Sequence, residues 1–135
     1  ATWRPVGDHA KIAAKPDLDW MRKVASAPDT VVMFGVGWYR RDGEGYSRHN
    51  GHWVDVVGVG EGDTQFLVHN PAIKAADQAR KRTISLGKLD GFARLDSQRK
   101  PHDMSGYYAV KGPGLPFGAK TTAVLDAVMA FTVSM

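Results

Sequence analysis

Two short runs carry the residue types most able to do chemistry. Residues 49–58 read HNGHWVDVVG, and residues 64–71 read TQFLVHNP. The first places an imidazole, His52, at the start of an apolar run. The second ends on a carboxamide, Asn70, followed directly by Pro71. An imidazole held by an amide or carboxylate oxygen is poised to move protons. A nucleophile needs such a base beside it, and the base needs a third group to fix its tautomer. His52 fits the second role and Asn70 the third. The first role calls for a thiol or a hydroxyl, and the 135 residues contain no cysteine.

The two side chains can meet only if the elements that carry them pair correctly. HWVDVVGVG and TQFLVHN both read as strands, joined across Gly60-Glu61-Gly62-Asp63. Side chains alternate faces along a strand. A loop centred on Glu61 sets His52 opposite Asn70, Val54 opposite Val68 and Val56 opposite Phe66. Opposed Cβ atoms then lie about 4.5–5.5 Å apart. A slip of one residue reverses this and gives His52 the company of His69 and Leu67. Both faces of the second strand are apolar, so hydrophobicity does not choose between the registers.

Around this hairpin the chain reads as one domain over residues 1–135. Residues 1–16 carry Pro5 and Pro16 and lack periodicity, so they form an irregular lead-in. Asp17 can cap a short helix with Leu18, Met21, Val24 and Ala25 on one face. Residues 30–39, TVVMFGVGWY, are a buried strand. Residues 40–51 read as a polar, glycine-rich loop, and residues 72–82 as a charged excursion. Thr83 to Ser85 could form a short strand. Leu86, Leu89, Phe92 and Ala93 have helical spacing, residues 106–112 form a strand, and GPGLPFG is a break. Residues 119–131 are read as helix in preference to strand. The expected class is α+β: an antiparallel sheet with a few short helices.

Composition narrows the function classes. Eighteen Lys and Arg against fourteen Asp and Glu give a net charge of +4. The basic residues are scattered except for Arg80-Lys81-Arg82, which has no aromatic platform and reads as a solvated loop, so nucleic acid is not the expected partner. No stretch approaches the roughly 18 apolar residues of a membrane helix. The chain opens on Ala1, as a processed or trimmed product does, which leaves export from a bacterial cell open. The absence of cysteine excludes disulfides and thiolate-held zinc. His49 and His52 with His69 lack the spacing of a metal site, and no metal or cofactor is expected. Asp55 falls on the strand face away from His52. Ser47 has no nucleophile-elbow context. Trp38, Tyr39 and Trp53 read as core or cleft wall.

The pattern Gly51-His52-Trp53-Val54, the valines up to Gly58, a short turn, and Phe66-Leu67-Val68-His69-Asn70-Pro71 resembles the histidine half of papain-like cysteine peptidases. The branch that trims bacteriocin leader peptides is the nearest in pattern. Residues 31–39 and 86–108 share the likeness, which covers roughly residues 17–110. It implies a papain-like fold lacking its nucleophile-bearing helix, of which this chain is the C-terminal portion. It implies His52 as base and Asn70 as its orienter, with Gly51 and Trp53 as substrate contacts and Trp53 as a shield over the His52–Asn70 contact. It implies hydrolysis of a peptide or isopeptide bond, or a related acyl transfer, on a peptide or protein substrate. The cysteine would come from another segment or chain. A catalytically inactive peptide-binding module remains the alternative.

Overall fold

The computed structural model of the chain describes residues 2–5, 17–115 and 121–134. Nine strands and one α-helix make up the described part. In chain order they are β1 (Thr2–Pro5), α1 (Leu18–Ser26), β2 (Thr30–Asp42), β3 (Gly45–Val59), β4 (Gln65–His69), β5 (Thr83–Lys88), β6 (Ala93–Leu95), β7 (Pro101–Asp103), β8 (Tyr108–Lys111) and β9 (Thr122–Ser134). A single 3-10 turn, Ala75–Asp77, interrupts the excursion between β4 and β5.

The pairings close on themselves. β2 pairs with β3, β3 with β4, β4 with β5, β5 with β8, β8 with β9, and β9 returns to β2, every one antiparallel. A six-stranded barrel results, and closure removes the free edges that an open sheet leaves unpaired. The expectation of an α+β, papain-like fold is therefore corrected: the protein is mostly β, built on a closed antiparallel barrel.

The barrel interior follows from alternation. Val32, Phe34 and Val36 of β2 point inward with Val54 of β3, Phe66 and Val68 of β4, Ile84 and Leu86 of β5, and Val110 of β8. The intervening Gly35 and Gly37 of β2 face out. Helix α1 packs against this core. Asp17 caps it, its carboxylate accepting from the Trp20 N–H at 2.8 Å. Met21 and Val24 are buried, and Leu18 and Ala25 lie against the cluster, as their spacing predicts. Arg22 pins the helix to the β3–β4 turn by donating from Nη1 to the carbonyls of Gly62 and Gln65, both at 3.0 Å.

Three local readings are corrected. Residues 119–131 do not supply a helix: β9 runs from Thr122, and 119–120 lie outside the described residues. A bulge at Asp126 explains the misleading spacing, because Gly35 pairs with Ala127 and Val36 with Leu125. The inward residues are thus Ala123, Leu125, Val128 and Ala130. A step of three across the bulge imitates a helical face in a strand buried on both sides. The helical spacing of Leu86, Leu89, Phe92 and Ala93 is likewise accidental. Leu86 belongs to the barrel core, whereas Phe92 joins a second cluster with Tyr39, Met104 and Val124, and Gly91 at φ 63 turns the chain between them. Finally, residues 40–51 form no loop. β2 and β3 continue as a polar ribbon that turns through Gly43 and Glu44, with Asp42 paired to Gly45 and Gly43 at φ 61. The ribbon is held by packing, since Tyr46 stacks on Phe92 at 3.9 Å.

Candidate functional site

His52 lies on the inner face of β3, paired with Val36 of β2, where the strand leaves its pairing with β4. Asn70 follows the last residue of β4. The predicted register is off by two: Val56, not Val54, pairs with Val68. Near the turn, Val59 pairs with Phe66 and Gly58 with Leu67. Carried along the hairpin, that register would put His52 and Asn70 on opposite faces of the sheet. One extra residue in β3, Val57, sits unpaired between Val56 and Gly58 and restores the parity. Val57 is accordingly 59% exposed, an unusual position for a valine in a barrel strand.

With parity restored, the two side chains meet. His52 Nε2 and Asn70 Oδ1 are 2.7 Å apart. Neighbouring contacts fix which atom donates. The Ala72 N–H donates to the same Oδ1 at 3.0 Å, and Asn70 Nδ2 donates to the Gly114 carbonyl at 3.2 Å. Reversing the amide would set donor against donor and acceptor against acceptor. The atom facing His52 is therefore an acceptor, Nε2 carries the ring proton, and Nδ1 of the neutral ring holds the free lone pair. Asn70 orients the ring and selects one tautomer.

Asn70 is itself tightly held. It is 3% exposed, the one buried polar side chain among the described residues. Its backbone carbonyl accepts from the Ile73 N–H at 2.9 Å and from Gln78 Nε2 at 2.8 Å. Gln78 Nε2 also reaches the Ile73 carbonyl at 2.8 Å, so one amide staples the excursion after β4. The strap carrying Gly114 is seated by its N–H donating to the Thr83 carbonyl at 3.0 Å. Leu115 anchors it at 1% exposure. A methyl at Gly114 would lie 2.8 Å from Val68 Cγ2 and 3.0 Å from Ile84 Cγ2, so the close approach requires glycine.

The ring opens onto a cleft of about 420 Å3 bordered by Trp38, Arg40, His49, Gly51, Asn70 and Ala72. That is within the usual range for small-ligand sites. Trp38 is the aromatic neighbour of His52, with ring centroids 5.9 Å apart. Trp53 lies on the other face of β3, its indole 2.9 Å from where a Cβ on Gly35 would sit, and it does not cover the His52–Asn70 contact. Gly51 borders this cleft and a second one on the outer face of the barrel, which Trp53 also lines. Asp55 is exposed opposite His69 and takes no part. Ser47 donates to Asp42 Oδ2 at 2.6 Å within the ribbon. No cluster of three or more potential metal ligands occurs among the described residues.

Sequence reasoning missed Ala72, Gln78 and Gly114, which hold Asn70. Two of the three act through backbone groups, which leave no side-chain signature. Only the Gly-Pro-Gly of residues 112–114 carried a signal, a turn able to approach another strand closely.

A search of protein-family models, of curated proteins and of solved structures finds no significant match to the chain.

Proposed function

We propose that the protein supplies the general base of a thiol-dependent acyl transfer, in the simplest case hydrolysis of a peptide or isopeptide bond. The observation that carries this reading is the His52–Asn70 pair, with its single tautomer and a ring that borders a cleft. The likeness of residues 51–71 to the histidine half of cysteine peptidases supports it. His52 Nδ1 takes the proton of a cysteine thiol contributed by another segment or chain, and the thiolate attacks the carbonyl carbon. His52 then protonates the leaving amine. Water, deprotonated by the same nitrogen, cleaves the acyl thioester and regenerates the thiol. Asn70 is neutral, so its part is orientation rather than charge stabilisation.

The test supplies the missing sulfur. A small added thiol and an activated peptide ester are incubated with the protein, and ester cleavage is followed. Cleavage should accelerate and saturate with thiol, and His52→Ala should lower it by about a hundredfold, the scale of a lost general base. An unchanged rate in His52→Ala would end the reading. Mass measurement of the native protein should also find a cysteine-bearing chain or segment with it.

A second reading is a peptide-binding module with no catalysis, favoured by the lack of any cysteine in the chain. It expects peptide binding at the cleft with no thiol-dependent turnover.

A further inference from the structure

Outside the barrel, on the face of β3 opposite the His52 ring, a second cleft of about 450 Å3 lies among Gly35, Arg48, Gly51, Trp53, Arg94 and Asp126. Two of the three strand irregularities build it, that at Asp126 in β9 and one between β2 and β3. The β9 bulge aims Asp126 outward, where its Oδ2 accepts from Tyr39 Oη at 2.9 Å and from Arg48 Nε at 2.8 Å. The second irregularity, between Trp38 and Tyr39, pairs Arg48 with Tyr39 across it. Arg48 lies flat over Gly51, whose absent side chain leaves the room: a Cβ there would collide with Arg48 Nη2. Arg94 completes the wall. Its guanidinium stands 6.0 Å from the Tyr39 ring and has no hydrogen bond or ion pair among the described residues.

Two guanidinium groups thus line a cleft with one carboxylate, which of the two bonds Arg48 alone, so the cleft carries an excess positive charge. Trp53, 36% exposed, offers an apolar wall beside it. The positive region is narrow. The adjoining hollow, which shares Arg94 and Asp126, is bordered by Asp96 and Asp103. A polyphosphate track would run into those carboxylates, whereas a single carboxylate would not. We infer that this outer cleft binds a carboxylate-bearing peptide, with the carboxylate on Arg94 and Arg48 and a neighbouring apolar side chain against Trp53. A planar carboxylate suits the guanidinium fork. Carboxylate binding here does not require the His52 chemistry, although His52 and Gly51 border both clefts.

The experiment titrates the chain with short capped peptides, followed by Trp53 indole resonances and calorimetry. One peptide carries Glu beside Leu, a second carries Gln in its place, and a third is the Gln peptide with a free C-terminal carboxylate. A single-stranded oligonucleotide is the fourth arm. The Glu peptide should bind about fivefold tighter than the Gln peptide, as one partly exposed ion pair allows. The third peptide shows whether a terminal carboxylate serves as well. Arg94→Gln should erase the preference while leaving the thermal transition in place, and Trp53→Ser should weaken all carboxylate peptides. Equal binding of the Glu and Gln peptides, no binding of either at millimolar concentration, or tighter and steeply salt-dependent binding of the oligonucleotide would each overturn the inference.

Discussion

Among the described residues, two histidines have an Nε2 that meets a side-chain oxygen, and they differ in almost everything else. His52 meets Asn70 at 2.7 Å and His102 meets Asp96 at 2.9 Å. Asn70 is buried, with every polar atom of its side chain engaged. Asp96 lies on the β6–β7 hairpin, where its Oδ1 accepts from the N–H groups of Gln98 and Lys100 and closes a turn. The His102 and Asp96 side chains are 62% and 33% exposed. A histidine–oxygen bond alone therefore does not mark a site. Both rings border a cavity, so what separates the two is whether the acceptor is fixed by a buried framework.

The sharpest way to break the contrast is to remove the acceptors. Asn70→Ala leaves the His52 ring proton, the Ala72 N–H and the Gly114 carbonyl without partners in or near the barrel end. Unfolding in denaturant should show a loss of about 3 kcal/mol. The downfield Nε2–H resonance of His52 should broaden as the ring loses its fixed tautomer. An unchanged resonance would show that something other than Asn70 holds the ring.

Next in size is the strap. Gly114→Ala pushes a methyl against Val68 and Ile84 and should cost about 2 kcal/mol, while moving the carbonyl that accepts from Asn70. Gly87→Ala is the control, since an added methyl there meets nothing within 4 Å. Equal stability losses at the two glycines would mean that the strap does not position Asn70.

These contrasts also explain what the sequence could and could not disclose. The β2 strand and the capped helix were legible, because each rests on local residue type and alternation; the shared face of His52 and Asn70 was expected too. The face was reached for a partly mistaken reason. A loop centred on Glu61 gives the correct parity, whereas the real turn gives the wrong one and the Val57 bulge corrects it. Neither this bulge nor that at Asp126 carries a local residue signature, so neither could be read from the sequence. The same holds for β9, whose bulged apolar run imitates a helix, and for closure itself, which depends on β9 reaching back to β2. The polar ribbon of 40–51 lacks an apolar period because its support, Phe92, comes from a distant segment.

The outer cluster yields a smaller effect, visible with pH. Burial, and then the Asp126 carboxylate, pushes the Tyr39 phenol well above the ordinary range near 10. A phenol raised in the folded state contributes stability that is complete below its unfolded value and is lost as pH rises past it. Stability should therefore decline above about pH 10, with absorbance at the phenolate band lagging until the barrel opens. Tyr39→Phe should flatten that decline and, at neutral pH, lose about 1 kcal/mol for the hydrogen bond to Asp126. A steep alkaline decline persisting in Tyr39→Phe would assign it to another group, such as Tyr107 or Tyr108, both also raised by burial.

The smallest effect belongs to the exposed histidine. The His102 ring, followed by the Lys100 N–H, holds the Asp96 carboxyl below its usual range. A lowered carboxyl contributes stability above its unfolded value, near 3.9, and that contribution is lost as pH falls below it. Between these exposed groups it is screened by water and salt. Asp96→Ala should thus shift the thermal midpoint no more than surface substitutions do, with any shift confined to pH above the unfolded carboxyl value and diminished by added salt. The His52 resonances should not move. A large, salt-insensitive loss in Asp96→Ala would show the β6–β7 hairpin to be a structural support of the barrel. In that case the two histidines differ less than their exposure suggests, because Arg94, on the same hairpin, also forms one wall of the outer cleft.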